Sequence, residues 1–196
     1  MSNIKRKKLT KVLMTIIIIL FTTIVNQYGS HLYINYRDNV AYNELLIQQK
    51  IDYIDKQLTE FYIPLNIQLH RSKRLFVDFQ TKHKDKNSIL DTNPNSSQLE
   101  RAEWRLYLLS VFKSTHTRME DLVITKRYLS IQHSELENKL NILVQHINEY
   151  KVIFQRWGDG NTSENISPIH FPDTIDDLIE RDIEKLKFEK KQLQWK

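Results

Sequence analysis

The chain has 196 residues, no cysteine, three glycines and a formal net charge of +5. The lack of cysteine excludes disulfides and thiolate metal sites, and the three glycines, Gly29, Gly158 and Gly160, build no phosphate-cradling or dinucleotide-binding loop. The five basic residues ahead of Val12 account for the whole charge excess, leaving 24 positive against 24 negative over residues 12–196. A neutral body behind a basic flank excludes the spread positive surface of a nucleic-acid binder, so no nucleic acid is expected as a partner.

Lys5, Arg6, Lys7, Lys8 and Lys11 form residues 1–11 into a basic tail, and residues 12–30 then carry no charge. Nineteen helical residues rise about 28 Å, close to the hydrocarbon thickness of a bilayer. The stretch is read as a transmembrane helix that contacts membrane lipid. A cleaved signal peptide is the alternative; against it, Gln27 and Tyr28 spoil the small-x-small pattern that Gly29 and Ser30 would need. Positive flanks stay inside. The expected topology is therefore single-pass in the cytoplasmic (inner) membrane, with a cytoplasmic amino terminus too short for an output domain. Residues 31–196 form an extracytoplasmic, periplasmic domain.

Few Gly and Pro, with much Leu, Ile, Glu, Lys and Gln, point to long helices. Over residues 31–63, Tyr33, Tyr36, Val40, Ile47, Ile51, Ile54, Leu58 and Phe61 follow a 3–4 spacing with one gap, the pattern of a coiled-coil seam. This predicts a stalk continuous with the membrane helix. Pro64 is expected to kink or restart the helix, and Leu65, Leu69 and Phe76 carry a second helix over 65–79. Residues 80–96 read as a long exposed loop. Six basic residues fall within 70–86, against Asp78 and Asp85. They read as a solvated run, with contact to lipid headgroups as the alternative.

Ser97 with Glu100 predicts a capping box for a helix over 97–130, whose apolar face runs through Leu99, Trp104, Leu108, Val111, Phe112, Met119, Leu122 and Val123. The polar run 113–117 marks a possible bend. Ser134 with Glu137 repeats the box for a helix over 134–157. There Leu136, Leu140, Leu143, Ile147, Tyr150, Phe154 and Trp157 alternate +4 and +3, the strongest periodic signal in the chain. Gly158-Asp159-Gly160 ends it. A last helix, 173–194, opens on Asp173, Asp176 and Asp177 and closes on lysines, matching the helix dipole. No alternation long enough for a strand occurs. The fold class is all-α: a transmembrane helix, a stalk, and an antiparallel helical bundle.

Three stretches together are similar to a group of short single-span bacterial proteins of no known activity. They are Phe61-Tyr62-Ile63-Pro64-Leu65 with Leu69 and Arg71; Trp104-Arg105-Leu106 with Val111-Phe112 and Arg118-Met119-Glu120; and His146, Tyr150-Lys151, Arg156-Trp157 and Ile169-His170-Phe171-Pro172. The resemblance covers about residues 55–190, and it implies a bacterial envelope protein without implying a reaction.

No motif specifies catalysis. The seven histidines show no HExxH and no i, i+4 pair, no nucleophile elbow occurs, and no cofactor or metal is expected. The chain is not read as an enzyme. Candidate binding residues are Arg71, Arg105 and Arg118, each beside an apolar stripe and able in principle to form an anion site, and His146, Tyr150, Lys151 and Trp157 around one helix face. Ordinary ion pairs and an interior histidine are the plainer readings. The expected function is a membrane-anchored interaction or scaffold subunit with a protein partner or self-association. The alternative is an extracytoplasmic ligand-sensing bundle that signals through a partner.

Overall fold

The computed structural model describes residues 2–82, 97–131 and 133–195, with side chains from residue 13 onward. The predicted loop therefore lies outside the described residues over 83–96, as do Lys84 and Lys86 of the basic run. Among the described residues every regular element is helical. The chain divides into two compact units, residues 1–50 and 51–196. Helix α1, Ser2–Gln57, supplies all of the regular structure in the first and the opening turns of the second.

In the first unit the apolar run is bare: Leu13, Ile16–Leu20, Phe21, Ile24 and Val25 are all about half or more exposed. It belongs to the one described helical stretch that is long and apolar enough to cross a membrane. The upper seam residues Tyr33, Tyr36 and Val40 are exposed as well.

The second unit is built from α2 (Ile63–Lys82), α3 (Gln98–Tyr107), α4 (Lys113–Lys126), α5 (Ser134–Gly158) and α6 (Ile175–Gln194). Neighbour pairs run α2–α4, α4–α5, α5–α6 and α6–α2, the closed ring of a four-helix bundle. Cross-pairs give the directions. Lys126 meets Glu60 while Phe79 meets Trp104, so α2 and α4 are antiparallel. Arg127 meets Asn141 while His116 meets Tyr150, which opposes α4 and α5. Lys190 meets Asp55 while His70 meets Glu180, which opposes α6 to the chain's first bundle helix.

The restart expected at Pro64 takes the form of a new α-helix that begins one residue earlier, at Ile63. A π-turn, Leu58–Tyr62, precedes it, closed by the Ile63 N–H on the Leu58 carbonyl. The extra residue widens the turn where proline removes a donor and crowds the preceding carbonyls. It also lets adjacent Phe61 and Tyr62 both reach zero exposure. A second π-turn, Leu108–Phe112, joins α3 to α4. Buried Trp104, Leu108, Phe112 and His116 are spaced four apart, longer than the 3.6-residue period, and the added residue restores their common face. Leu99, expected on that face, is 78% exposed in the first turn.

The capping box at Ser97 forms in both directions: Ser97 Oγ accepts the Glu100 N–H, and Glu100 accepts the Ser97 N–H. The second box does not. His133 caps α5, its Nδ1 accepting the Leu136 N–H at 3.1 Å, while Glu137 is drawn off by Arg127 and Ser130. Helix α6 starts at Ile175, two residues later than expected, behind Thr174 in the left-handed region.

Leu136, Leu140, Leu143 and Ile147 are buried in the main core with Phe61, Leu65, Met119 and Ile179. A second, aromatic core gathers Phe79, Trp104, Leu108, Phe112, Tyr150 and Ile153. Ile153 is buried on α5, whereas Phe154 and Trp157, the predicted end of the stripe, are half-covered.

Candidate functional site

A cavity of about 480 Å³ lies where the aromatic core meets the connection between α5 and α6. Its walls come from α2, the α3–α4 stretch, α5 and residues 166–174. Trp104, a turn ahead of the second π-turn, is held by its indole N–H, which donates to the Asn165 carbonyl at 2.9 Å. Beside it, Arg105 Nη1 donates to Asn165 Oδ1 at 2.8 Å. Buried Asn165 thus fixes the α5–α6 connection against α3.

From Trp104 the rings continue without a gap. Phe76 lies edge-on at 6.0 Å, Phe112 at 5.6 Å, and His116 6.0 Å beyond Phe112. His116 stands 5.6 Å from His146 and 5.4 Å from Tyr150, and Phe171 meets His146 at 5.4 Å, nearly perpendicular. These are the spacings of favourable edge-on and tilted aromatic pairs.

Both imidazoles are neutral near pH 7. Burial pushes His116 down to about 3, and nearby His146 adds to the effect. Burial also lowers His146, against the pull of its hydrogen bond to the Ile169 carbonyl. That bond, at 2.5 Å, fixes the tautomer: a carbonyl only accepts, so Nδ1 carries the proton. Two of the residues that line the cavity each carry a buried polar atom without a partner, Ser72 Oγ and His116 Nδ1, and these residues are 5% and 4% exposed. Lys73 and Asp176 pair at the cavity's edge, the lysine mostly exposed and the carboxylate mostly covered. Burial opposes ionisation of Asp176, but the hydrogen bond and charge of Lys73 outweigh it and hold the carboxyl below its ordinary value.

Of the residues picked out from sequence, His146 and Tyr150 line this cavity. Arg71 and Arg118 are exposed and away from its lining, and Arg105 is committed to Asn165. Lys151 pairs with Glu120 at 2.5 Å, and Trp157 donates from Nε1 to the Glu164 carbonyl at 2.7 Å. The candidate set therefore splits, and none of the three arginines lines the cavity. Missed from sequence were His116, Ser72 and Phe171. His116 carried a readable signal, since it falls four residues after Phe112, but its polar neighbours made the segment look like a bend.

Among the described residues no group of three His, Asp or Glu side chains is placed to hold a metal ion. The site offers flat apolar walls, two neutral imidazoles and a hydroxyl, the makings of a binding pocket. Compared with known proteins, the chain matches no family model, no curated protein and no solved structure.

Proposed function

We propose that the chain is a single-pass protein of the bacterial cytoplasmic membrane whose helical bundle works outside it as an interaction subunit. The observation that carries this reading is the bare apolar run of α1, Leu13–Val25, directly behind five basic residues. In water so many exposed Ile, Leu and Phe side chains are unfavourable; in lipid they are solvated, and the flanking lysines favour the cytoplasmic side. The neutral body supports protein contacts over nucleic-acid contacts.

The test is purification of the detergent-solubilised full chain after cross-linking in cells. The expected result is recovery in the membrane fraction, resistant to carbonate extraction, with a stoichiometric protein partner or a second copy. Recovery in the soluble fraction overturns the anchor, and a partner-free monomer overturns the interaction role.

A second reading is supported by the cavity: the bundle binds a small molecule and passes the signal to a partner. A volume of about 480 Å³ falls within the roughly 300–1,000 Å³ of small-molecule sites.

A further inference from the structure

We propose that the cavity binds a neutral aromatic molecule of one or two rings that carries a hydroxyl or carbonyl group, held through Ser72 Oγ and His116 Nδ1. This deepens the ligand-sensing reading and rests on it.

Shape sets the body of the ligand. Trp104, Phe112, Tyr150 and Phe171 surround the space with ring faces and edges. Flat walls of this kind favour another ring, which gains offset or edge-on contacts along with the apolar area it buries.

The two unpartnered atoms set its polarity. Ser72 Oγ on α2 and His116 Nδ1 on α4 are buried and without hydrogen bonds. Leaving a buried polar atom unpaired costs about 1–3 kcal/mol. A ligand hydroxyl or carbonyl relieves that cost, because serine donates and accepts and a neutral imidazole offers one of each. A bare acyl chain fills the space yet leaves both atoms unpaired.

Charge sets the rest. Lys73 is the lysine of the lining, and Asp176 already holds it. An anion therefore finds no free positive partner. A cation finds ring faces, but of the two carboxylates in the lining the covered one, Asp176, is engaged by Lys73, and Asp173 is exposed to water.

The test uses the full chain in lipid nanodiscs, with empty nanodiscs as the reference for partitioning. Three probes share the naphthalene ring and differ in charge: 2-naphthol, 2-naphthalenesulfonate and trimethyl-2-naphthylammonium. The expected result is saturable binding of 2-naphthol at one site per chain, with both charged probes at least about tenfold weaker, since Lys73 and Asp176 hold each other and the remaining carboxylate, Asp173, is exposed to water. Ser72→Ala and His116→Phe should each weaken 2-naphthol by roughly two- to tenfold, the value of one hydrogen bond. Gln145→Ala, exposed on α5, should leave it unchanged. Helicity and thermal melting check folding, and if His116→Phe fails to fold, Ser72→Ala decides. Equal affinity of wild type and folded variants overturns the proposal. Preference for either charged probe overturns the ligand class while the ligand-sensing reading stands. No saturable binding of any probe means water satisfies the two atoms, and the ligand-sensing reading itself fails.

Discussion

Tyr62 donates its hydroxyl to Asp182 Oδ2 at 3.1 Å, across 120 positions of sequence and inside the bundle. The same oxygen lies 3.1 Å from His133 Nε2, and the Tyr62 oxygen accepts the Ile131 N–H at 2.7 Å. Since His133 Nδ1 accepts the Leu136 N–H, its Nε2 carries the proton that Asp182 receives. One carboxylate, 3% exposed, thus ties the first π-turn, the α4–α5 connection and the cap of α5 to α6. Burial pushes the Tyr62 hydroxyl well above its ordinary pKa, and the Asp182 charge adds to this, so the tyrosine stays a donor.

Tyr62→Phe should therefore cost about 1.5–3 kcal/mol, the range for hydrogen bonds to charged groups, because it strips a buried carboxylate of a donor. Asp182→Ala should cost at least as much. The double variant should cost less than the two single losses added together, because they share one network. Chemical denaturation of the detergent-solubilised chain reads all three. Additive losses would show that the carboxylate and the hydroxyl act independently.

Much of this arrangement was readable in advance. The +4/+3 run of α5 buried its first five members, and α6 buried Ile175, Ile179, Ile183 and Leu186. What escaped prediction has physical causes. A π-turn adds one residue without changing composition, so around Leu58–Tyr62 and Leu108–Phe112 it shows only as apolar spacings stretched to four. The cap of α5 was misassigned because Ser134-x-x-Glu137 satisfies the local pattern. Arg127 and Ser130, brought close by the turn before α5, compete for Glu137 and win. The role of Asp182 has no local signature, because its partners come from residues 49 and 120 positions away. The cavity is of the same kind, since Ser72, His116 and Phe171 lie on separate segments and no single periodicity joins them.

On α5, Leu143 is wholly buried and Gln145 is exposed. Leu143→Ala should cost about 2–5 kcal/mol through lost transfer energy and a residual cavity. Gln145→Ala should change stability by less than about 0.5 kcal/mol. One helix hosts both changes, so burial is what the comparison measures. Equal midpoints in urea would refute the assigned face.

The end of α5 separates two glycines. The Gly160 N–H bonds to the Trp157 carbonyl and the Asn161 N–H to the Arg156 carbonyl, a Schellman closure with Gly160 at φ +85°. Within the expected stop, Gly158-Asp159-Gly160, Gly158 is still the last helical residue, with open space around it. Gly160→Ala should destabilise by about 1 kcal/mol, and Gly158→Ala should stabilise by up to about 1 kcal/mol. Thermal melts with the opposite order would place the closure elsewhere.

Orientation has a direct chemical test. The chain lacks cysteine, and Thr162 is exposed in the α5–α6 connection. Thr162→Cys should react with an impermeant maleimide in spheroplasts, as an extracytoplasmic bundle requires. Labelling that waits for lysis would put the bundle in the cytoplasm.

Acid should loosen the bundle in part through His116. Burial holds its folded-state pKa near 3, against 6.5 for the free side chain. Between those values the unfolded chain binds a proton that the folded chain refuses. Stability therefore rises with pH across this window, by up to about 1.4 kcal/mol per pH unit for one proton. The contribution is fully present above pH 6.5 and is lost as pH falls toward 3. His146, also lowered by burial, acts in the same direction. So do Glu137 and Asp176, whose carboxyls are held below their ordinary values, Glu137 by Arg127 and Asp176 by Lys73 against the cost of burial. A wild-type slope alone consequently does not identify the histidine; the difference between two slopes does. His116→Phe keeps a ring in the aromatic wall and removes the titrating group. Its unfolding free energy, measured in urea from pH 4 to 7, should fall less steeply than wild type by close to one proton. Parallel curves over that range would mean that His116 takes up its proton without unfolding the bundle.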